Sequence, residues 1–82
     1  MIKSTVDDDV MIALWRLLPS DAKVNVMKEV FDTNRLTKEM LLFCKTTWID
    51  GSQKFPGLAY SIKKYTAIVI QIPKKVINTR SD

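Results

Sequence analysis

Apolar residues recur along this chain at helical spacing in four blocks, with short polar stretches between them. In the first, Val10, Met11, Ala13, Leu14, Trp15, Leu17 and Leu18 make an apolar band more than half a helix wide. Asp7, Asp8 and Asp9 precede that band, where carboxylates favour the positive end of a helix dipole, and Ser4 and Thr5 are candidate N-caps. A first helix is expected from about Asp7 to Leu18, ended by Pro19. A second, from about Asp21 to Phe31 with Ser20 as cap, lines Val24, Met27 and Phe31 on one face, with Val26 and Val30 beside them. Asn25, Lys28 and Glu29 then face water.

The polar run Asp32-Thr33-Asn34-Arg35 reads as a connection. Thr37 is placed to cap a third helix running to about Trp48, with Met40, Leu41, Phe43, Cys44 and Trp48 as its buried stripe. Leu42 projects outward among Lys38, Glu39 and Lys45. Asp50-Gly51-Ser52 carries a strong turn signal and leads into a stretch bracketed by Pro56 and Pro73.

Two templates compete for GLAYSIKKYTAIVIQI, between those prolines. As strands, Leu58, Tyr60 and Ile62 alternate with smaller or polar neighbours and Thr66 to Ile72 is a β-branched run, but the turn near Lys63-Lys64-Tyr65 has no Gly, Asn or Asp to supply positive φ. As a helix, Leu58, Ile62, Tyr65, Val69 and Ile72 form one stripe flanked by Ile68 and Thr66, with Lys63, Lys64, Gln71, Tyr60 and Ala67 opposite. The β-branched residues cost up to roughly 0.7 kcal/mol each in a helix, whereas burying each large apolar side chain returns about 1.5–3 kcal/mol. Packing can therefore override propensity. Pro56 suits a first turn, and Pro73 is expected to stop the helix.

The expected fold is a mainly α, compact four-helix domain. The alternative is three helices plus a C-terminal β-hairpin, a winged-helix-like α+β arrangement. With 82 residues, the span 1–82 has room for a single domain, with about 1–5 and 76–82 expected as frayed ends. A hydrophobic content of 46% is too high for a disordered tail, and only two glycines disfavour a turn-rich β fold. No apolar run, Met40 to Cys44 and Ala67 to Ile70 among them, is long enough to span a bilayer, and the three aspartates spoil a signal-peptide reading. A cytoplasmic location is expected, in keeping with a single cysteine that can form no internal disulfide.

Charge and chemistry narrow the function. Residues 1–41 hold six basic and seven acidic side chains, and residues 42–82 seven basic and two acidic, so the second half is the electropositive one. Such a charge can serve solubility alone, or meet phosphates, anionic lipid or an acidic partner. The chain has no histidine, which removes Ser-His, Cys-His and imidazole-metal constellations. Cys44 lies on an apolar face and reads as filler; the aspartate cluster lacks the Gly and distal Glu of a calcium loop; no glycine-rich phosphate loop is present. No enzyme activity, cofactor or metal is expected.

Two binding functions follow. In a helix-turn-helix or winged-helix regulator, the second and third helices would present the third to nucleic acid, yet its outward Lys38, Glu39, Leu42, Lys45 and Thr46 are poor readers of base edges. A protein-binding regulator would instead use an apolar centre with a basic rim, for which Ile12, Leu42, Lys45, Tyr60, Lys63 and Lys64 are the candidates. Lys63, Lys64, Lys74 and Lys75 could also touch anionic lipid. With its 82 residues and its MIKSTVDDDV opening, the chain resembles the cytoplasmic antiholins of T-even bacteriophage lysis inhibition. The resemblance implies a small phage protein that binds the cytoplasmic N-terminal segment of the holin and delays membrane-hole formation. It carries no site residues across.

Overall fold

Local capping and a few long-range contacts divide the chain into more helices than the pattern suggests. The computed structural model describes residues 5–80, with backbone alone for 71–80. Its helices are α1 (Asp8–Leu17), α2 (Ser20–Phe31), α3 (Lys38–Cys44), α4 (Trp48–Lys54) and α5 (Pro56–Arg80). The mainly α expectation holds. Among the described residues there is no strand, which removes the hairpin and with it the winged-helix alternative. The physical reason lies at Lys63-Lys64-Tyr65, which would have to turn: Asp32 is the only described non-glycine residue with positive φ, so this segment stays helical. Burial of Ala59 and Ile62 on one face then outweighs β-branched propensity.

The expected count of four helices is corrected to five, because the third ends early. At its end Lys45 N–H bonds to Leu42 O, and Phe43 O accepts from both the Thr46 amide and the Thr46 hydroxyl, at 3.1 and 2.8 Å. That tight closure frees Thr47 to cap a new helix: its hydroxyl accepts from Asp50 N–H at 3.2 Å. Asp50-Gly51-Ser52, expected as a turn, is therefore the body of α4. Thr37 caps α3 as expected, accepting from Met40 N–H. Ser20 does not cap α2; Pro19, extended at ψ 165°, takes the cap position and Ser20 becomes the first helical residue. Similarly Asp7, without a side-chain cap bond, precedes α1 in place of Ser4 or Thr5, and Ser4 lies outside the described residues.

Helix α5 begins as expected at Pro56, and the preceding Phe55, outside the helical region at ψ 68°, offers its carbonyl to Ala59 N–H. It is not stopped at Pro73 but continues to Arg80. Proline's φ near −65° is itself helical, so one missing N–H bond need not end the backbone path, at a cost of roughly 3 kcal/mol. Residues 1–4 and 81–82 of the expected frayed ends lie outside the described residues.

Packing converges on an aromatic cluster. Trp15 of α1, Phe43 of α3 and Trp48 of α4 meet edge to face, with ring centroids 5.4–5.6 Å apart. All are 2% exposed or less, and Trp15 Nε1–H donates to the Thr46 carbonyl at 3.2 Å. Met11, Met27, Met40, Cys44, Ala59 and Ile62 complete the core. The expected stripe of α3 is buried apart from Leu41, which the short helix leaves at its exposed edge. Helix α5 lies across α4 and α2, α4 against α1, and α2 against α3.

Candidate functional site

The length of α5 creates the feature that most resembles a binding site. At about 1.5 Å per residue its 25 residues span roughly 37 Å, about twice the length of the 12-residue α2. Its first half closes the core, while further along Ile68, Val69 and Ile70 are 59%, 38% and 45% exposed. Where the helices diverge, an open apolar groove of about 180 Å³ remains. Met11 and Leu14 of α1 with Leu18 just beyond it form one wall, Val26 of α2 another, and Ile62, Tyr65 and Val69 of α5 the third, with the buried Trp15 between them. The expected α5 stripe therefore divides: Ile62 is core, Tyr65 and Val69 line the groove, and the side chain of Ile72 lies outside the described residues.

One polar contact ties the groove together. The Tyr65 phenol bonds the Glu29 carboxylate of α2, and its pKa is raised by partial burial first and by the Glu29 charge second. At neutral pH Tyr65 is a neutral donor. The neutral phenol leaves the α5 wall of the groove uncharged.

The six residues expected to contact a partner do not form one patch. Ile12 is half-buried and packs against the core. The Lys63 ammonium sits 3.0 Å from Asp8 Oδ1, and its side chain is 22% exposed. Tyr60 and Lys64 stay together at the surface, with the ammonium 5.6 Å from the ring centroid. Leu42 is 49% exposed on α3. Lys45, one turn further on, faces a second pocket together with Arg16 and Lys23, two cations the spacing of residues did not single out.

The Asp8 pair predicts a pH response. The hydrogen bond from Lys63, then that from Trp48 Nε1–H at 3.5 Å, holds the Asp8 carboxyl below its ordinary value. A depressed folded-state pKa means the contribution is complete above the unfolded value of about 3.9. It is lost as pH falls through the folded value. Because the Asp8 side chain is 66% exposed, the pair's worth is under about 1 kcal/mol. Asp8→Asn is expected to lower the urea midpoint slightly near neutrality, with the difference from wild type closing toward about pH 2. A difference that persists undiminished in acid would contradict the pairing.

Cys44 is 4% exposed, and burial raises its thiol pKa against a smaller opposing effect of Lys23. A raised value on a buried side chain is the opposite of an activated nucleophile. Among the described residues no group of three or more His, Cys, Asp or Glu side chains is arranged to hold a metal ion, and no helix is long and apolar enough to cross a membrane. No protein-family model, curated protein or solved structure matches the chain.

Proposed function

We propose that this protein acts by stoichiometric binding of a protein partner, holding an amphipathic segment in the groove between α1, α2 and α5. The observation that carries the reading is the groove: apolar on three walls and open to solvent, with Val69 of α5, 38% exposed, in its lining. A surface of this kind suits an apolar helical face laid between helices. The resemblance to the cytoplasmic antiholins supplies the partner, the cytoplasmic N-terminal segment of a phage holin, and the role, a regulator that delays lysis from the host cytoplasm by sequestering that segment. The nucleic-acid reading has lost its wing, and Lys63, which would have sat at the wing tip, is paired with Asp8.

Capture of the holin segment by the full chain tests this directly. Val69→Asp, in the groove, is expected to weaken binding by about tenfold or more, roughly 1.4 kcal/mol, with an unchanged far-ultraviolet circular dichroism spectrum. Leu42→Asp, similarly exposed but on α3, should leave it unaltered. Loss of capture by Leu42→Asp alone would move the site to α3, and a folded protein that captures nothing would end the proposal. Salt-sensitive binding to mixed-sequence DNA in place of the segment would favour the nucleic-acid alternative.

A further inference from the structure

The second pocket, of about 240 Å³, opens where the end of α1 meets the start of α2 and the α3–α4 junction. Its lining is Arg16, Lys23 and Lys45 with Thr46 and Thr47, over a floor of Trp15 and Trp48. The lining carries three cations and no carboxylate. Among the described residues Arg16 and Lys45 have no ion-pair partner, and Lys23 rests its ammonium 5.3 Å from the Trp15 ring centroid. The contrast with Lys63, neutralised by Asp8, is direct. Three like charges from separate elements around one concavity repel each other, and an entering carboxylate relieves that repulsion while gaining charge-assisted hydrogen bonds.

We propose that this pocket receives the carboxylate side chains of an acidic protein segment. The inference deepens the binding reading above and rests on it for the partner being a protein. Charge complementarity identifies the occupant: a compact cluster of three cations over indole rings suits an acidic side chain flanked by hydrocarbon. A nucleic-acid backbone would instead need a run of cations along its path. Trp15 is shared by the two sites, forming the floor of the apolar groove on one side and of the basic pocket on the other.

The test uses the full chain and a fluorescein-labelled, Glu- and Leu-rich helical peptide, beside its isosteric Gln counterpart, read by anisotropy at about 50 and 200 mM salt. The Glu peptide is expected to bind about tenfold or more tightly than the Gln peptide. Arg16→Gln with Lys45→Gln should remove that advantage. Lys28→Gln with Lys54→Gln, the same change in net charge placed elsewhere, should alter affinity by less than about twofold. Equal affinity for the two peptides, equal loss from the two double variants, or tighter binding of single-stranded DNA of matched charge would each overturn the proposal. Failure of the two readings is distinguishable. Glu-selective binding that depends on Arg16 and Lys45, without capture of the holin segment, would sink the antiholin role and leave the pocket standing. Capture that is indifferent to Arg16→Gln with Lys45→Gln would do the reverse.

Discussion

Phe43→Ala is expected to cost about 3–5 kcal/mol, the transfer free energy of a buried ring plus the cavity it leaves. Phe43 is fully buried and touches Trp15 and Trp48 edge to face, with Phe55 tilted at 6.3 Å. Its loss removes contacts to α1, to α4 and to the α4–α5 junction together, so the cavity has no single neighbour able to collapse into it. A chain of 82 residues has a total stability of roughly 4–12 kcal/mol. The variant should therefore lose at least about a quarter of the total stability, and all of it if the wild type lies at the low end of that range. Urea unfolding followed by far-ultraviolet circular dichroism, with near-ultraviolet signals for the two tryptophans, checks it. A loss below about 1 kcal/mol would mean the aromatic cluster is not the centre of the core.

Gly51→Ala carries the second largest expected effect, and its sign is opposite to helix propensity. In an exposed helix interior, replacing Gly by Ala gains about 1 kcal/mol. At Gly51 the added Cβ would lie 2.6 Å from Thr46 Oγ1 and 3.1 Å from the Phe43 ring, so α4 or its neighbours must shift. Overpacking of this kind costs typically 1–3 kcal/mol. With the short hydroxyl contact and the aromatic ring both resisting, the net loss is expected at about 1–2 kcal/mol after the propensity gain. Thr46→Ala removes the nearer obstruction and the hydrogen bond to Phe43 O. The double variant should accordingly lose less than the sum of the singles, by more than about 0.5 kcal/mol. Strict additivity would show that Thr46 is not what Gly51 makes room for.

These two residues also show where reading the chain succeeds and where it stops. Phe43 belongs to a stripe at helical spacing, and its burial follows from periodicity. Gly51 between Asp50 and Ser52 carries every mark of a turn. Only the approach of α4 to Phe43 and Thr46 makes a glycine necessary inside a helix. Trp48 falls four residues after Cys44 and so fits the period of α3, although it starts α4; its ring returns to the same cluster because the chain turns at Lys45–Thr47. Thr37 was legible as a cap because capping is local to a few residues. Thr47 was hidden by the apolar Trp48 and Ile49 that follow it.

The functional surface divides the same way. Periodicity along α5 placed Ile62, Tyr65 and Val69 on one side, and that side does line the groove. The facing wall of Leu14, Leu18 and Val26 comes from two other helices, so no spacing within a segment could supply it. Lys63 looked outward on its own helix, yet Asp8, remote in the chain, lies within 3.0 Å. Ile12 looked misplaced on α1 until the neighbouring packing covered it.

By itself, then, the chain's sequence determined that the protein is mainly helical, that Met11, Trp15, Met27, Met40, Phe43, Cys44 and Trp48 lie on buried faces, and that Pro56 opens the last helix, whereas Val10, Leu17 and Leu41, expected on those same faces, are 40%, 80% and 42% exposed. Helical periodicity and the chemistry of N1 are local properties, set within a turn or two. Tertiary structure decided the split of α3 from α4, the role of Gly51, the neutralisation of Lys63, the groove beside α5 and the gathering of Arg16, Lys23 and Lys45 around Trp15 and Trp48. Each depends on side chains from different helices meeting, and that meeting is set by crossing geometry and the lengths of neighbouring helices, which no single stretch of sequence encodes.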